Sequence, residues 1–511
     1  MSMPESGENR SEAGQGSACR CSPDLANGVR LGLLALTAGG VIFSSATMLE
    51  IGIDEGLLCL LATSALVALT APLALRRRDE LIEPIWLVAL IVAVGVTGKA
   101  FYICFGPRER VQFLLLDKAP HDLLFAALVM ATGLVCLSVG YRLGAVRWRI
   151  PFLERLAAVP AWDPRRFTIV TGALLVCGLI SFAVFAQRAG VSFDSLGDLS
   201  SPRTFHIPGS RFRGAAGYLR WGAMMTEIAF YLVLAHWAAS RRRVWSRPGA
   251  AVLLFAMLAL PFPVFVSTRL TVLIFVLRVI MIWICLRGEP KPRYVVAMVT
   301  AGLVTAGAML ALRSGASDWR TLRAHIGVSG LLEATVGGRH FLDLTKTAHI
   351  LAAVPETVDY QYGRTMVTWL VAPVPRSWWP AKPAIGAGKE LGPLLFQTNR
   401  NTGVPPGIVG ELNLNFGLPG VYVGLFLVGV LLRSLYATLR PRFPNMSIVL
   451  IYTVLVTRLS TEMLANSVSG CIAKLVQEMI PLILALYLLA RADRAEAVNA
   501  AIRSRVEVSS S

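Results

Sequence analysis

Apolar residues in this chain do not alternate with polar ones but run on for lengths of about 20. Twelve such runs stand at roughly 31–49, 56–75, 84–106, 123–141, 167–187, 221–239, 249–266, 270–286, 294–312, 417–436, 447–466 and 475–490. A bilayer core about 30 Å thick needs about 20 mostly apolar residues per helix, so each run predicts a membrane-spanning helix. The pairs at 249–286 and 447–490 have the least distinct boundaries.

Two connections are too long to be turns, 188–220 and 313–416. A hundred residues between helices is far beyond an ordinary connection, and such loops are usually functional. Within the second, "LLEATVGGRHFLDLTKTAHILAAVP" spaces its apolar residues as a helix does and predicts a re-entrant or interfacial helix ended by Pro355. The remainder, "APVPRSWWPAKPAIGAGKELGPLLFQTNRNTGVPPGIVGELNLNFG", is rich in Pro and Gly and reads as a shaped loop without regular structure. Residues 1–28 are Ser-, Gly- and Glu-rich with few apolar positions, a disordered tail. The expected layout is therefore tail 1–28, helices one to nine over 29–312, the large loop 313–416, helices ten to twelve over 417–490, and a tail 491–511 whose first half could extend the last helix.

Composition agrees with the pattern: of 511 residues 55% are hydrophobic and 16% charged, with a mean hydropathy of +0.60. Charge adds an orientation. Five alternate connections hold 19 of the 49 Lys and Arg residues, among them Arg76–Arg78, Arg241–Arg243 and Arg433, Arg440 and Arg442; the four short connections on the other face hold about five. The positive-inside bias then puts both termini in the cytoplasm and both long connections outside. It also accounts for much of the net charge of +18, so nucleic acid is not indicated as a partner. The eight cysteines form no CxxC or paired pattern.

Soluble-enzyme motifs are missing. "GAGKELG" (386–392) lacks the upstream glycine and the Ser or Thr of a phosphate loop, and the sequence has no HExxH, no GxSxG and no outside DxD. No metal site and no cofactor is expected. What remains is ionisable residues in or at the ends of apolar runs: Lys99, Glu227, Arg269, Arg458 and Glu462 on the outer half, and Arg278 near mid-membrane. Each costs roughly 2.5–3.5 kcal/mol in a bilayer unless it faces a cavity or a partner. Structural ion pairs and an outward cationic cavity for an anionic lipid headgroup are both open readings. Guanidinium forks suit phosphate oxygens, and a diphosphate is the natural guest. In "APVPRSWWPAKP" (372–383) the prolines stiffen the segment holding Arg376 and Lys382, while Trp378 and Trp379 suit either sugar faces or the headgroup belt.

"YGRTMVTWLVAPVPRSWWPAKP" (362–383), followed by "GVPPGIVGELNLNFGLPGVYVGLFLVGVLLRSLY" (403–436), resembles the bacterial oligosaccharide repeat-unit polymerases of the O-antigen polymerase type. The resemblance covers about 75 residues closely and the rest only by layout. It implies an all-α, GT-C-like bundle of about twelve membrane helices in the bacterial inner membrane, with a large periplasmic loop. The implied activity is metal-independent glycosyl transfer between undecaprenyl-diphosphate-linked oligosaccharides, feeding O-antigen, capsule or exopolysaccharide. Membrane lipids, a chain-length regulator and a flippase are the implied partners. Arg376, Arg269 and Arg458 would stabilise the diphosphate as its charge grows. Glu411 would either take the acceptor proton or order the loop by binding backbone amides. Lys382, Trp378, Trp379, Arg339, His340 and Arg364 would bind substrate, His340 being a second possible base.

Three alternatives share much of this layout. An O-antigen ligase would use the same donor but pass the chain to a lipid A core, and a lipid-phosphate-sugar transferase would use an acid in the first outer loop, such as Asp54 or Glu55 in "EIGIDEG". A flippase or exporter would need cationic cavities open to both leaflets and has little reason for a large outer cap.

Overall fold

The computed structural model describes residues 38–49, 52–74, 82–115, 120–144, 146–159, 162–188, 215–240, 246–265, 269–288, 292–313, 327, 330, 335–337, 342–375, 378–396 and 403–509. Regular structure among them is helical throughout, with no strand. The helices that position the site are α1 (Ile53–Ala74), α2 (Pro84–Val92), α3 (Pro120–Leu143), α4 (Pro164–Arg188), α5 (Ala215–Ala223), α6 (Met225–Ala239) and α7 (Arg269–Arg287). After the long connection come α8 (Leu344–Ala353), α9 (Arg364–Val367), α10 (Gly388–Leu395), α11 (Gly407–Leu439), α12 (Met446–Thr457) and α13 (Val468–Ser509). Several start on proline, whose fixed φ and missing donor suit a first turn: Pro84, Pro120 and Pro164 open α2, α3 and α4.

Nine described helices are long and apolar enough to cross a membrane. They match nine of the twelve apolar runs. The other three positions carry shorter apolar helices among the described residues, Ala38–Leu49, Arg247–Pro263 and Val296–Thr305. The second of these is broken at Leu260, between Arg247–Ala259 and Pro261–Phe265, where prolines 261 and 263 interrupt the ladder.

The long connection departs from its sequence reading in two ways. The amphipathic pattern is broken at Asp343, whose carboxylate caps the Lys346 amide and starts α8, which stops at Ala353; residues 331–334 and 338–341 of the pattern lie outside the described residues. The stretch read as irregular, 372–417, contains two helical pieces, α10 and the first turns of α11. There α11 runs Gly407–Phe416 and turns sharply at Gly417 (φ 66°, ψ −166°) before the apolar span proper, because a Cβ at 417 would press on the Tyr360 hydroxyl and Pro419 removes a donor just beyond. The reading of 491–511 as a tail meets a continuous helix, α13, that runs to Ser509.

Two apolar cores form. One joins α1, α2, α3 and α11, and the other joins α6, α7, α12 and α13. In the first, α3 and α11 meet on a glycine seam. A Cβ on Gly140 would lie 2.1 Å from the Phe426 carbonyl oxygen and one on Gly429 would lie 2.1 Å from that of Leu137, so only hydrogen allows the backbones so close. Lipid tails are as apolar as side chains, and close packing of small residues is what holds such helices together.

The seam yields a comparison that thermal unfolding in detergent can make. Gly140→Leu and Gly429→Leu should separate α3 from α11 and sharply lower the yield of folded protein. Gly172→Ala in α4, where nothing lies within 4 Å of the new Cβ, should be neutral or slightly stabilising.

Candidate functional site

The chain segment 342–396 packs on the ends of the bundle where α3, α11 and α13 begin, and a set of buried polar contacts holds it there. Lys99, which follows a π-helical turn at Ala93–Gly98, lies 3.1 Å from Asp343, both side chains 1% exposed. Lys346 reaches the carbonyls of Pro405 (3.0 Å) and Ala465 (3.3 Å), tying α8 to the start of α11 and to the gap before α13. Burial alone would raise the Asp343 carboxyl, but Lys99, Lys346, the Thr345 hydroxyl and the Lys346 amide together hold it below its ordinary value.

Glu411 is completely buried on α11 and joins three elements. Its carboxylate accepts the Val468 amide at the start of α13 (2.6 Å) and the Thr365 hydroxyl of α9 (3.1 Å). Ser467 caps the same helix start through the Gly470 amide, and Ser469 donates to the Thr365 carbonyl. Donors that a new helix leaves orphaned are thus satisfied from a neighbouring helix.

Below this start of α13 lies a connected set of ions. Glu478 of α13 receives two bidentate guanidinium forks: Arg278 of α7 at 3.1 and 2.7 Å, and Arg458 at 2.9 and 2.5 Å. Arg278 also donates to Thr457 (2.9 Å). Arg458 opens a second π-helical turn, Arg458–Glu462, and bonds Glu462 within it; Glu462 in turn bonds Lys474. Such turns recur at functional sites, because they re-aim side chains out of the regular ladder. Glu227 of α6 is buried nearby, accepting the Tyr231 hydroxyl at 3.3 Å. Ions are tolerable here because the Met446–Ala465 span is 94% buried within the protein, away from lipid.

The set has an open side. Lys474 is 39% exposed, whereas Glu462, Glu478, Arg278 and Arg458 are each at most 5% exposed. Arg220 of α5 is exposed and within electrostatic reach of both Arg458 and Lys474. Its neighbours fix α5 in place: Trp221 donates to the Gln477 carbonyl and Tyr218 to that of Pro373, each at 2.5 Å. Four basic side chains, Arg220, Arg278, Arg458 and Lys474, gather here with three acidic ones, Glu227, Glu462 and Glu478. Of these, Lys474 and Arg220 are the basic residues with exposed surface. Above the set, the stiff segment 372–383 is closed by Lys382, whose ammonium donates to the carbonyls of Ala372 and Val374 at 2.8 Å each, and Gly386 bonds Thr368. Trp378 is 82% exposed and Trp379 41%.

Of the residues singled out from sequence, Arg458 and Glu462 meet in the ion set, with Arg278 and Glu227 beside them. Glu411 lies one layer above, and Lys99 belongs to the separate pair with Asp343. Lys382 points into its own loop, and Arg364 is exposed, 3.4 Å from Glu390. Arg269 begins α7. Arg376, Arg339 and His340 lie outside the described residues. Asp54 is exposed in the first turn of α1, where a helix N-terminus favours an acid without further cause. Sequence reasoning missed Glu478, Lys474 and Arg220. The i,i+4 spacing of Lys474 and Glu478 at the head of an apolar run was the available signal, since Arg278 and Arg458 require a counter-ion. Among the described residues no three His, Cys, Asp or Glu side chains converge as metal ligands would.

Two measurements follow. Glu478→Gln leaves two buried guanidinium groups facing each other and should cost about 3–5 kcal/mol of stability by detergent unfolding, with partial recovery when Arg278 is also made Met. Because the folded Asp343 carboxyl lies below its ordinary value, its pairing stabilises the protein above that value and the contribution fades as pH falls through the lower, folded one. Asp343→Asn should therefore flatten the acid limb of the stability profile, and an unchanged limb would assign acid loss to other groups.

Comparisons with protein-family models, with curated proteins and with solved structures gave no match to this chain.

Proposed function

We propose that this protein is a membrane glycosyltransferase that polymerises lipid-diphosphate-linked oligosaccharide repeat units. One observation carries the reading: a buried lattice of arginines and glutamates holds the half-exposed Lys474 at its edge, with the exposed Arg220 within electrostatic reach and exposed tryptophans on the loop nearby. A diphosphate needs fixed cations at headgroup level, and its isoprenoid needs lipid alongside. The sequence resemblance to repeat-unit polymerases points to the same chemistry, with the opening on the periplasmic face of a bacterial inner membrane.

In this reaction a sugar hydroxyl of the acceptor attacks the anomeric carbon of the donor chain. The new C–O bond forms as the bond to the diphosphate breaks, the electron pair leaving with the diphosphate and the hydroxyl proton being released. The leaving group is already good, so holding both partners in place and stabilising the departing charge carries most of the rate. Lys474 and Arg220 stabilise that charge, and Arg458 supports them from below. With both oxygens accepting donors from α9 and α13, Glu411 orders the loop.

Purified protein in nanodiscs, given lipid-linked repeat units, should produce a ladder of products. Each charge-assisted contact is worth about 1.5–3 kcal/mol, so Lys474→Ala or Arg220→Ala should slow extension by about 10- to 100-fold while leaving the folded yield normal. Deletion of the gene should leave single units on the periplasmic side. Units trapped on the cytoplasmic side, with no ladder in vitro, would make the protein an exporter instead.

A further inference from the structure

Among the described residues Tyr362 is the one non-glycine residue with positive φ, at 45°. A side chain in that region costs of order 1–3 kcal/mol and persists only where its surroundings impose it. No burial offsets the cost, for the residue is 81% exposed. The turn is held from both sides instead. Before it, the Gln361 amide donates to the Leu414 carbonyl (2.9 Å); after it, the Gly363 amide donates to Asn415 Oδ1 (2.8 Å). Asn415 is itself anchored to the Glu411 carbonyl and the Thr365 hydroxyl. Tyr360 stands beside it, ring centroids 6.2 Å apart, over the sharp turn at Gly417.

An exposed ring on a backbone held this firmly presents a surface. Its setting argues against acyl chains: Glu356, Asp359 and Arg364 on the same segment and Glu390 opposite Arg364 are all exposed. A hydroxyl-rich ligand with apolar ring faces suits an aromatic plane ringed by ionic hydrogen-bonding groups. Three residues further on, Thr365 bonds Glu411 and Ser469, so the turn is built into the start of the helix that carries Lys474.

We infer that Tyr362 is a saccharide-stacking platform, which positions the oligosaccharide of a lipid-linked substrate as it approaches the cationic opening. This rests on the proposed glycosyl transfer for the identity of the sugar, but its test does not depend on turnover. Lipid-free oligosaccharide, released by mild acid from the lipid-linked units of the cells that make this protein, is titrated against the purified full-length protein in nanodiscs. Ladder formation is measured in parallel.

Tyr362→Ala should bind the oligosaccharide about tenfold more weakly, and Tyr362→Phe within about twofold of wild type, because the ring and not the hydroxyl makes the contact. Tyr362→Gly removes the backbone strain, so it should unfold no earlier than wild type and still bind as weakly as the alanine variant. Wild-type affinity in the alanine and glycine variants overturns the inference, even if the ladder forms. So does a phenylalanine variant as weak as alanine. Binding that depends on Tyr362 with no ladder from wild type would support the platform and sink the polymerase reading alone. A lower yield of inserted protein with unchanged affinity would make Tyr362 a membrane anchor and overturn the inference.

Discussion

One carboxylate inside a membrane bundle, shared by two guanidinium groups, sets what the rest of this structure can be. Both oxygens of Glu478 are taken by the forks of Arg278 and Arg458, and the two buried guanidinium groups share it as their counter-ion. Taking such ions from water costs several kcal/mol each, recovered only when geometry is good and every remaining donor is used. That condition fixes three helices, α7, α12 and α13, in register with one another. It also requires α12 to be wrapped by protein, which it is. The basic residues of this cluster that reach the surface are Lys474 and Arg220.

The long connection answers the same constraint from above. A helix that begins inside protein needs its first amides satisfied, and α13 takes them from Glu411 and Ser467 rather than from water. Lys346 and the Lys99–Asp343 pair carry that junction across to α8 and α2. What would be a floating loop in a polar reading of its sequence is therefore bolted to the bundle at several buried points. Its free edge, with Tyr362, Trp378 and Trp379 exposed, is aromatic where the opening below is cationic. The proposed sugar diphosphate would meet the aromatic edge with its sugar and the basic residues with its diphosphate.

The helices were largely legible in the sequence, since a run of about 20 apolar residues has few other uses. Their interruptions were not. The π-helical turns at Ala93–Gly98 and Arg458–Glu462 leave no mark in hydropathy, although each adjoins a buried charge that was visible as an oddity, Lys99 and Arg458. The proline- and glycine-rich stretch hid two helical pieces because tertiary partners, Glu411 with Thr365 and Gly417 with Tyr360, override the local propensity that composition reports. Arg458 and Glu462 were found as charges without their partner. Glu478 sat inside an apolar run, and only the pairing demand of two arginines from different helices would have pointed to it. Lys382 misled for the opposite reason: a cation in a stiff loop reads as a ligand contact, yet its ammonium closes the loop on itself.

The central claim is that Lys474 and Arg220 form a diphosphate seat at the headgroup level. The most direct measurement is an experimental structure of the protein in nanodiscs loaded with a polyprenyl diphosphate. The account predicts phosphate density between Lys474 and Arg220, with the isoprenoid leaving sideways into the bilayer. Phosphate density at any other part of the protein, with Lys474 still closed on Glu462 alone, would contradict it.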